Sequence, residues 1–151
     1  MAMRISEDQI ENIQQLEAVV AGPDEANRLL IIDGQFDPNL QVTAKGDATA
    51  SHKETYLVLI GPILKNREFV RAIATASLAE TYFDTPGGAP AQPVALGASW
   101  RILGVDADWD DESGRVELRI ETEVRSKGGG QTASVSSIAF HVTILAAIPA
   151  F

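Results

Sequence analysis

From Arg115 to Arg125 the sequence alternates without a break. Arg115, Glu117, Arg119, Glu121, Glu123 and Arg125 hold one parity, and Val116, Leu118, Ile120, Thr122 and Val124 hold the other. Side chains on a strand point to opposite faces with period two, so this segment predicts a strand with one buried and one charged face. At the usual rise it spans about 36 Å, well beyond the common strand of five or six residues. A strand of that length either curls around a core or projects as an arm.

The neighbouring segments give it partners. Leu103, Val105, Ala107 and Trp109 alternate with Gly104, Asp106 and Asp108, and Asp-Asp-Glu-Ser-Gly separates them from Arg115. Gly114 suits a turn position of positive φ. With Asp110 opposite Arg115, Trp109 faces Val116, Ala107 faces Leu118, Val105 faces Ile120 and Leu103 faces Thr122. Every inward pair is fit for burial, and a one-residue slip would invert the whole set. On the other side, Gly128-Gly129-Gly130 makes a three-residue loop if Lys127 pairs with Gln131. Val116 then faces Val142, Leu118 faces Phe140 and Ile120 faces Ile138. The expectation is a three-stranded antiparallel meander over 100–110, 114–126 and 131–147.

These registers also order the charged face. Asp106 falls opposite Arg119 and Asp110 opposite Arg115, both favourable, whereas Asp108 falls opposite Glu117. Glu117 in turn falls opposite His141. Asp108, Glu117 and His141 would then line up across three strands, two carboxylates and an imidazole able to hold a divalent cation or act as an acid/base group. Arg115 and Arg119 could equally neutralise the carboxylates on a solvated face. Asp106, Asp108, Asp110 and Glu117 also match positions 1, 3, 5 and 12 of a calcium loop. Position 6 is Asp111 instead of Gly and the flanks are strands, so a helix–loop–helix site is excluded and only a looser calcium site at the hairpin tip is compatible.

Upstream, Ser6 to Gln9 reads as a capping box. Ile10, Ile13, Leu16 and Val20 then recur at helical spacing until Gly22-Pro23, which predicts a helix over about 7–21. Leu29–Ile32 reads as a strand ended by Asp33-Gly34, and Leu40, Val42 and Ala44 alternate as another. Tyr56–Ile60 is apolar on both parities, as expected of a central strand covered on both faces. Over 66–83, Ala72, Ala74, Ala76 and Ala79 favour a second, central helix by propensity. The alternation of Val70, Ala72, Ala74, Ala76 and Leu78 with Arg71, Thr75 and Ser77 would suit a strand. Asp84–Gly97, rich in Pro and Gly, reads as a long loop. The predicted class is α+β: an antiparallel sheet with a C-terminal meander, an N-terminal helix and one central helix, in one domain over 1–151.

Composition narrows function. The chain has no cysteine, which removes disulfides, thiolate metal sites and a Cys nucleophile. Its net charge of −9 and scattered cations give no footprint for nucleic acid. No segment approaches the ~20 apolar residues of a membrane span, and the N-terminus shows no secretory apolar core. A cytoplasmic location is expected. His52, beside Ser51 and Lys53, has no evident triad partners, and no G-x-S-x-G, P-loop, G-x-G-x-x-G or H-E-x-x-H occurs. Trp100 and Trp109 read as core or edge anchors. Leu145–Ile148 is apolar on both parities, so that end is covered by a helix or by another chain.

Two functional readings follow. One is a non-enzymatic structural or protein-interaction module, acting as a homo-oligomer or as a subunit of a larger complex, with no resident cofactor. The other starts from element order: a long helix, a Gly/Pro loop and three long strands resemble hotdog-fold proteins over about half the chain. That resemblance implies a helix-wrapped sheet serving a small-ligand binder or enzyme, with a pocket beside 66–97 drawing on Glu68, Glu80 or Asp84. A divalent-cation surface on the hairpin is a further alternative.

Overall fold

The computed structural model describes residues 2–21, 26–46, 48–84 and 97–148. Its elements are β1 (Met3–Ile5), a 3-10 turn (Glu7–Gln9), β2 (Ile10–Ala21), β3 (Ala26–Phe36), β4 (Leu40–Thr43), β5 (Thr49–Ile60), β6 (Phe69–Asp84), β7 (Gly97–Trp109), β8 (Val116–Lys127) and β9 (Thr132–Ala147). The class is therefore all-β, and the α+β expectation is corrected. No helix among the described residues is long and apolar enough to cross a membrane.

Two sheets enclose one core. The first runs β1-β5-β8-β7, with β1 parallel to β5 and the remaining pairs antiparallel. In the second, β9 is the hub. Its Ile138–Ala147 stretch pairs with β3 and its Thr132–Val135 stretch with β4, while β6 pairs along nearly all of it. Because β6 overlaps both other partners, it must occupy the opposite edge of β9. β2 extends this sheet beyond β3.

Alternation on β8 holds along its whole length. Val116, Leu118, Ile120, Thr122, Val124 and Ser126 are all buried. The β7–β8 hairpin keeps the expected register from Trp109↔Val116 through Val105↔Ile120. A bulge between Ile102 and Gly104 then places Ile102, not Leu103, opposite Thr122.

The third strand of the meander is corrected. β8 pairs with β5, and β9 belongs to the other sheet. β8 and β9 lie in different sheets, so the chain turns a corner between layers here, through Gly128, Gly129 and Gly130, all of positive φ (88°, 57° and 76°). The corner is held by Gly129 N–H donating to Gly46 O at 2.7 Å and by Ser126 Oγ–H donating to Gln131 O at 2.7 Å. Leu118 and Phe140 are both buried, as proposed pairs should be, because they enter one core from facing sheets.

Both expected helices are strands. The Ser6–Gln9 motif is present: Gln9 Oε1 accepts from Ser6 N–H at 2.9 Å, but it serves a single 3-10 turn. In β2, a bulge between Glu11 and Gln14, where Asn12 has φ 53°, shifts the parity by one residue. Ile10 points inward before it, and Leu16 and Val20 point outward after it, which produces a spacing that mimics a helix. In β6 the alternation prevails over alanine propensity: Ala72, Ala74, Ala76 and Leu78 pack on the core while Arg71, Thr75 and Ser77 are exposed. β6 also lies alongside β7, drawing the two sheets together at that margin. Among the described residues there is no helix beyond the single 3-10 turn for a sheet to wrap, and the hotdog-like arrangement is not seen.

β5 is internal to its sheet as expected. Tyr56, Val58 and Ile60 are fully buried, whereas Leu57 and Leu59 are half-covered, bordering a hollow shared with Ile5, Glu7 and Arg115. Tyr56 Oη donates to Pro38 O at 3.1 Å, and burial pushes its phenol up. The Gly22-Pro23 stop and residues 85–96 of the expected loop lie outside the described residues.

Candidate functional site

On the first sheet, Asp108 does stand opposite Glu117, and Asp106 opposite Arg119. The carboxylates are engaged separately, however. Asp108 Oδ1 accepts from Trp109 N–H at 2.8 Å, and Glu117 Oε2 lies 3.8 Å from Arg4 Nη1. Asp110 turns into the loop, accepting from Ser113 N–H at 3.0 Å and Ser113 Oγ–H at 2.6 Å, and those bonds hold its carboxyl below the usual range. His141 is on the second sheet, paired with Asp33 and Thr75. The structure thus keeps the Asp108–Glu117 pair and separates it from His141. Among the described residues, no group of three His, Cys, Asp or Glu side chains is arranged to hold a metal ion.

The other sequence candidates are dispersed. His52 Nε2 lies 3.3 Å from Glu54 Oε2. Glu80 accepts from Tyr82 Oη–H at an exposed edge, Asp84 is exposed and Glu68 is half-buried. Trp109 Nε1–H is shared between Leu64 O at 3.0 Å and Gly114 O at 3.1 Å, and Trp100 Nε1–H donates to Ser134 O at 3.0 Å. Both indoles are anchors.

The charged face of β8 holds one surprise. Glu123 is only 2% exposed because Arg101, Arg125 and Lys53 close over it. Arg101 Nε–H donates at 2.8 Å, and this bond, ahead of the neighbouring positive charges, holds the carboxyl below its ordinary value. The shielding comes from these side chains themselves rather than from the core.

The outer face of the second sheet is different in kind. Cross-strand partners share a face, so its rows can be read directly from the registers. Leu16, Ile31, Thr143 and Ile73 form one row, and Ala18, Leu29, Leu145 and Arg71 the next. Val20, Asn27 and Ala147 follow. No element among the described residues covers them: Leu16 is 69% exposed, Ile73 54% and Val20 49%. The doubly apolar Leu145–Ile148 stretch is explained here, with Ile144 and Ala146 in the core and Leu145 and Ala147 on this face.

Beside these rows runs a polar one, Gln14, Asp33, His141 and Thr75, then Gln35, Ala139 and Ser77. Together they line an open groove of about 560 Å³. His141 Nδ1 hydrogen-bonds Asp33 Oδ1, and its Nε2 lies 3.2 Å from Thr143 Oγ1. The order hydroxyl, imidazole, carboxylate is that of a nucleophilic relay. Here the three lie half-exposed along the open groove. No local signal announces this cluster, because Asp33-Gly34 reads as the end of a strand that in fact continues to Phe36.

In comparisons with known proteins, the chain matches no family model, no curated protein and no solved structure.

Proposed function

We propose that the chain is an assembly module that binds a second copy of itself through the outer face of its second sheet. The observation that carries this reading is the uncovered apolar field of Leu16, Ala18, Val20, Leu29, Ile31, Leu145 and Ile73. Contiguous exposed apolar patches mark interaction surfaces. The charge pattern supports a like partner. A chain of net charge −9 repels its copies in most orientations, but this field carries no acidic side chain, so two copies meet there at least cost. The polar row bordering it supplies hydrogen-bonding groups of the kind found at interface rims.

Size exclusion with light scattering from micromolar to near-millimolar concentration tests the proposal. The expected outcome is a concentration-dependent dimer or higher oligomer. Covering an Ile73-sized exposed side chain contributes about 1–2 kcal/mol, so Ile73→Glu should weaken association at least tenfold without changing the fold. A strict monomer at the highest concentration refutes the reading.

A further inference from the structure

The same sheet has an edge that the fold leaves open, and we propose that two copies join there, β2 to β2, antiparallel about a two-fold axis at Ala18. This inference rests on the self-association reading and adds a junction to it: joined edge to edge, two copies form one continuous sheet whose doubled apolar outer face can meet further copies.

Free strand edges are normally blunted by brevity, bulges, lysine, proline or a covering element. β1 has three residues. β7 carries a bulge between Ile102 and Gly104 and has β6 beside it. β6 is interrupted at Phe69/Arg71, Leu78/Glu80 and Glu80/Thr81. Past its own bulge, β2 has none of these devices among the described residues. From Gln14 to Ala21 its pairing with β3 is regular, its residues are exposed on both faces, and Glu17 is the sole charge, with no Lys or Pro.

A two-fold axis normal to the sheet keeps each face on its own side, so paired residues share parity and the axis passes through a single residue. Centring on Glu17 stacks two carboxylates. Centring on Leu16 brings the Asn12–Ile13 bulge into the ladder. Centring on Val19 confines the pairing to residues 17–21 of β2. Centring on Ala18 pairs Leu16 with Val20, Glu17 with Val19 and Gln15 with Ala21, a regular ladder of seven residues, about 24 Å long. The outer apolar rows then run on across the axis into the partner's rows.

The charges agree with this register. Arg28 Nε–H donates to Glu17 Oε1 at 2.6 Å within one chain, and Arg28 pairs with Val19. Because Val19 faces the other copy's Glu17, each Arg28 lies in the row of the second copy's carboxylate. The two Glu17 carboxylates are then diagonal rather than directly opposed neighbours across the junction, each held by the Arg28 of its own chain.

The absence of native cysteine makes the register testable. Directly opposed residues of antiparallel strands have Cα atoms about 4.5–5.5 Å apart, within disulfide range. With a mild thiol oxidant, Ala18→Cys should give a covalent dimer at least tenfold faster than Val19→Cys. Leu16→Cys mixed with Val20→Cys should cross-link faster than either variant alone. Val19→Glu, at an exposed position outside the apolar field, sets a carboxylate opposite the other copy's Glu17 and should lower the association state with thermal unfolding unchanged. If association is unchanged in Val19→Glu and Ala18→Cys links no faster than Val19→Cys, while Ile73→Glu dissociates the oligomer, strand pairing is overturned and face-to-face association stands. A wild-type chain that stays monomeric overturns both.

Discussion

Gly34 sits where β3, β9 and the start of β2 converge, and replacing it with alanine tests how tightly these strands pack. A Cβ at this position would lie 2.7 Å from Phe140 Cζ, 3.1 Å from Phe140 Cε1 and 2.9 Å from Ile10 Cγ2. Phe140 has little room to yield. Its ring is 6.4 Å from that of Phe36, which in turn lies 5.5 Å from Tyr56, and Tyr56 is tied to Pro38 O. Ile10, at the beginning of β2, can give more easily. Overpacking of this kind costs about 1–3 kcal/mol, and the narrower unfolded ensemble of alanine offsets about 0.4–1 kcal/mol. The expected net destabilisation of Gly34→Ala is about 1–2 kcal/mol, or about 2–8 °C in Tm for a chain of this size. Urea denaturation should show a lower midpoint at unchanged slope. Phe140→Leu removes the atoms responsible for the closest approach, so Gly34→Ala should cost at least 0.5 kcal/mol less in that background, roughly the smallest coupling a mutant cycle resolves. A neutral or stabilising Gly34→Ala, or an equal cost in both backgrounds, refutes the packing argument.

Two further outcomes follow from hydrogen bonds on the first sheet. Trp109→Phe removes the N–H shared by Leu64 O and Gly114 O and should destabilise by about 1–2 kcal/mol, read by thermal or urea unfolding; an unchanged midpoint would show that the indole N–H is dispensable. Glu123 and Asp110 both have carboxyls held low, so the unfolded chain takes up protons first and stability must fall as acid is added below about pH 4.5. Glu123→Gln should flatten the fall of Tm between pH 5 and pH 3, and a profile as steep as that of the parent chain would rule out the Arg101–Glu123 bond as a source of it.

Legibility in the sequence tracked the presence of a cover. On β8, buried on one side by a full core, every inward residue could be assigned from period two. The same alternation told which residues of β9 face inward, but not from which layer. Leu118 and Phe140 satisfy a hairpin and a sandwich equally, and a run of three glycines serves either connection. β2 misled because neither of its faces is covered, so burial imposes no period, and the Asn12–Ile13 bulge completed the helical illusion. On β6 the alternation was visible, but the inward residues are alanines, whose helix preference is intrinsic and weak beside tertiary packing. The charged pair Asp108–Glu117 was readable because a short turn fixes its register. Asp33 and His141 meet across a ladder joining distant segments, for which no local signal exists.

The hub position of β9 also sets a schedule. Ile31 of β3 waits for Thr143 of β9, and β4 and β6 wait for the same strand. At usual rates of chain synthesis, the intervening residues, on the order of 110, take roughly 5–20 s to emerge from the ribosome. Throughout that interval the second sheet has no centre, and β2 and β3 are at best a two-stranded ribbon, marginal on its own in water. Pairings so remote in sequence also slow folding once the chain is whole. During its synthesis, the chain exposes its most adhesive strands for longest, a period in which a holdase chaperone would have the most to protect.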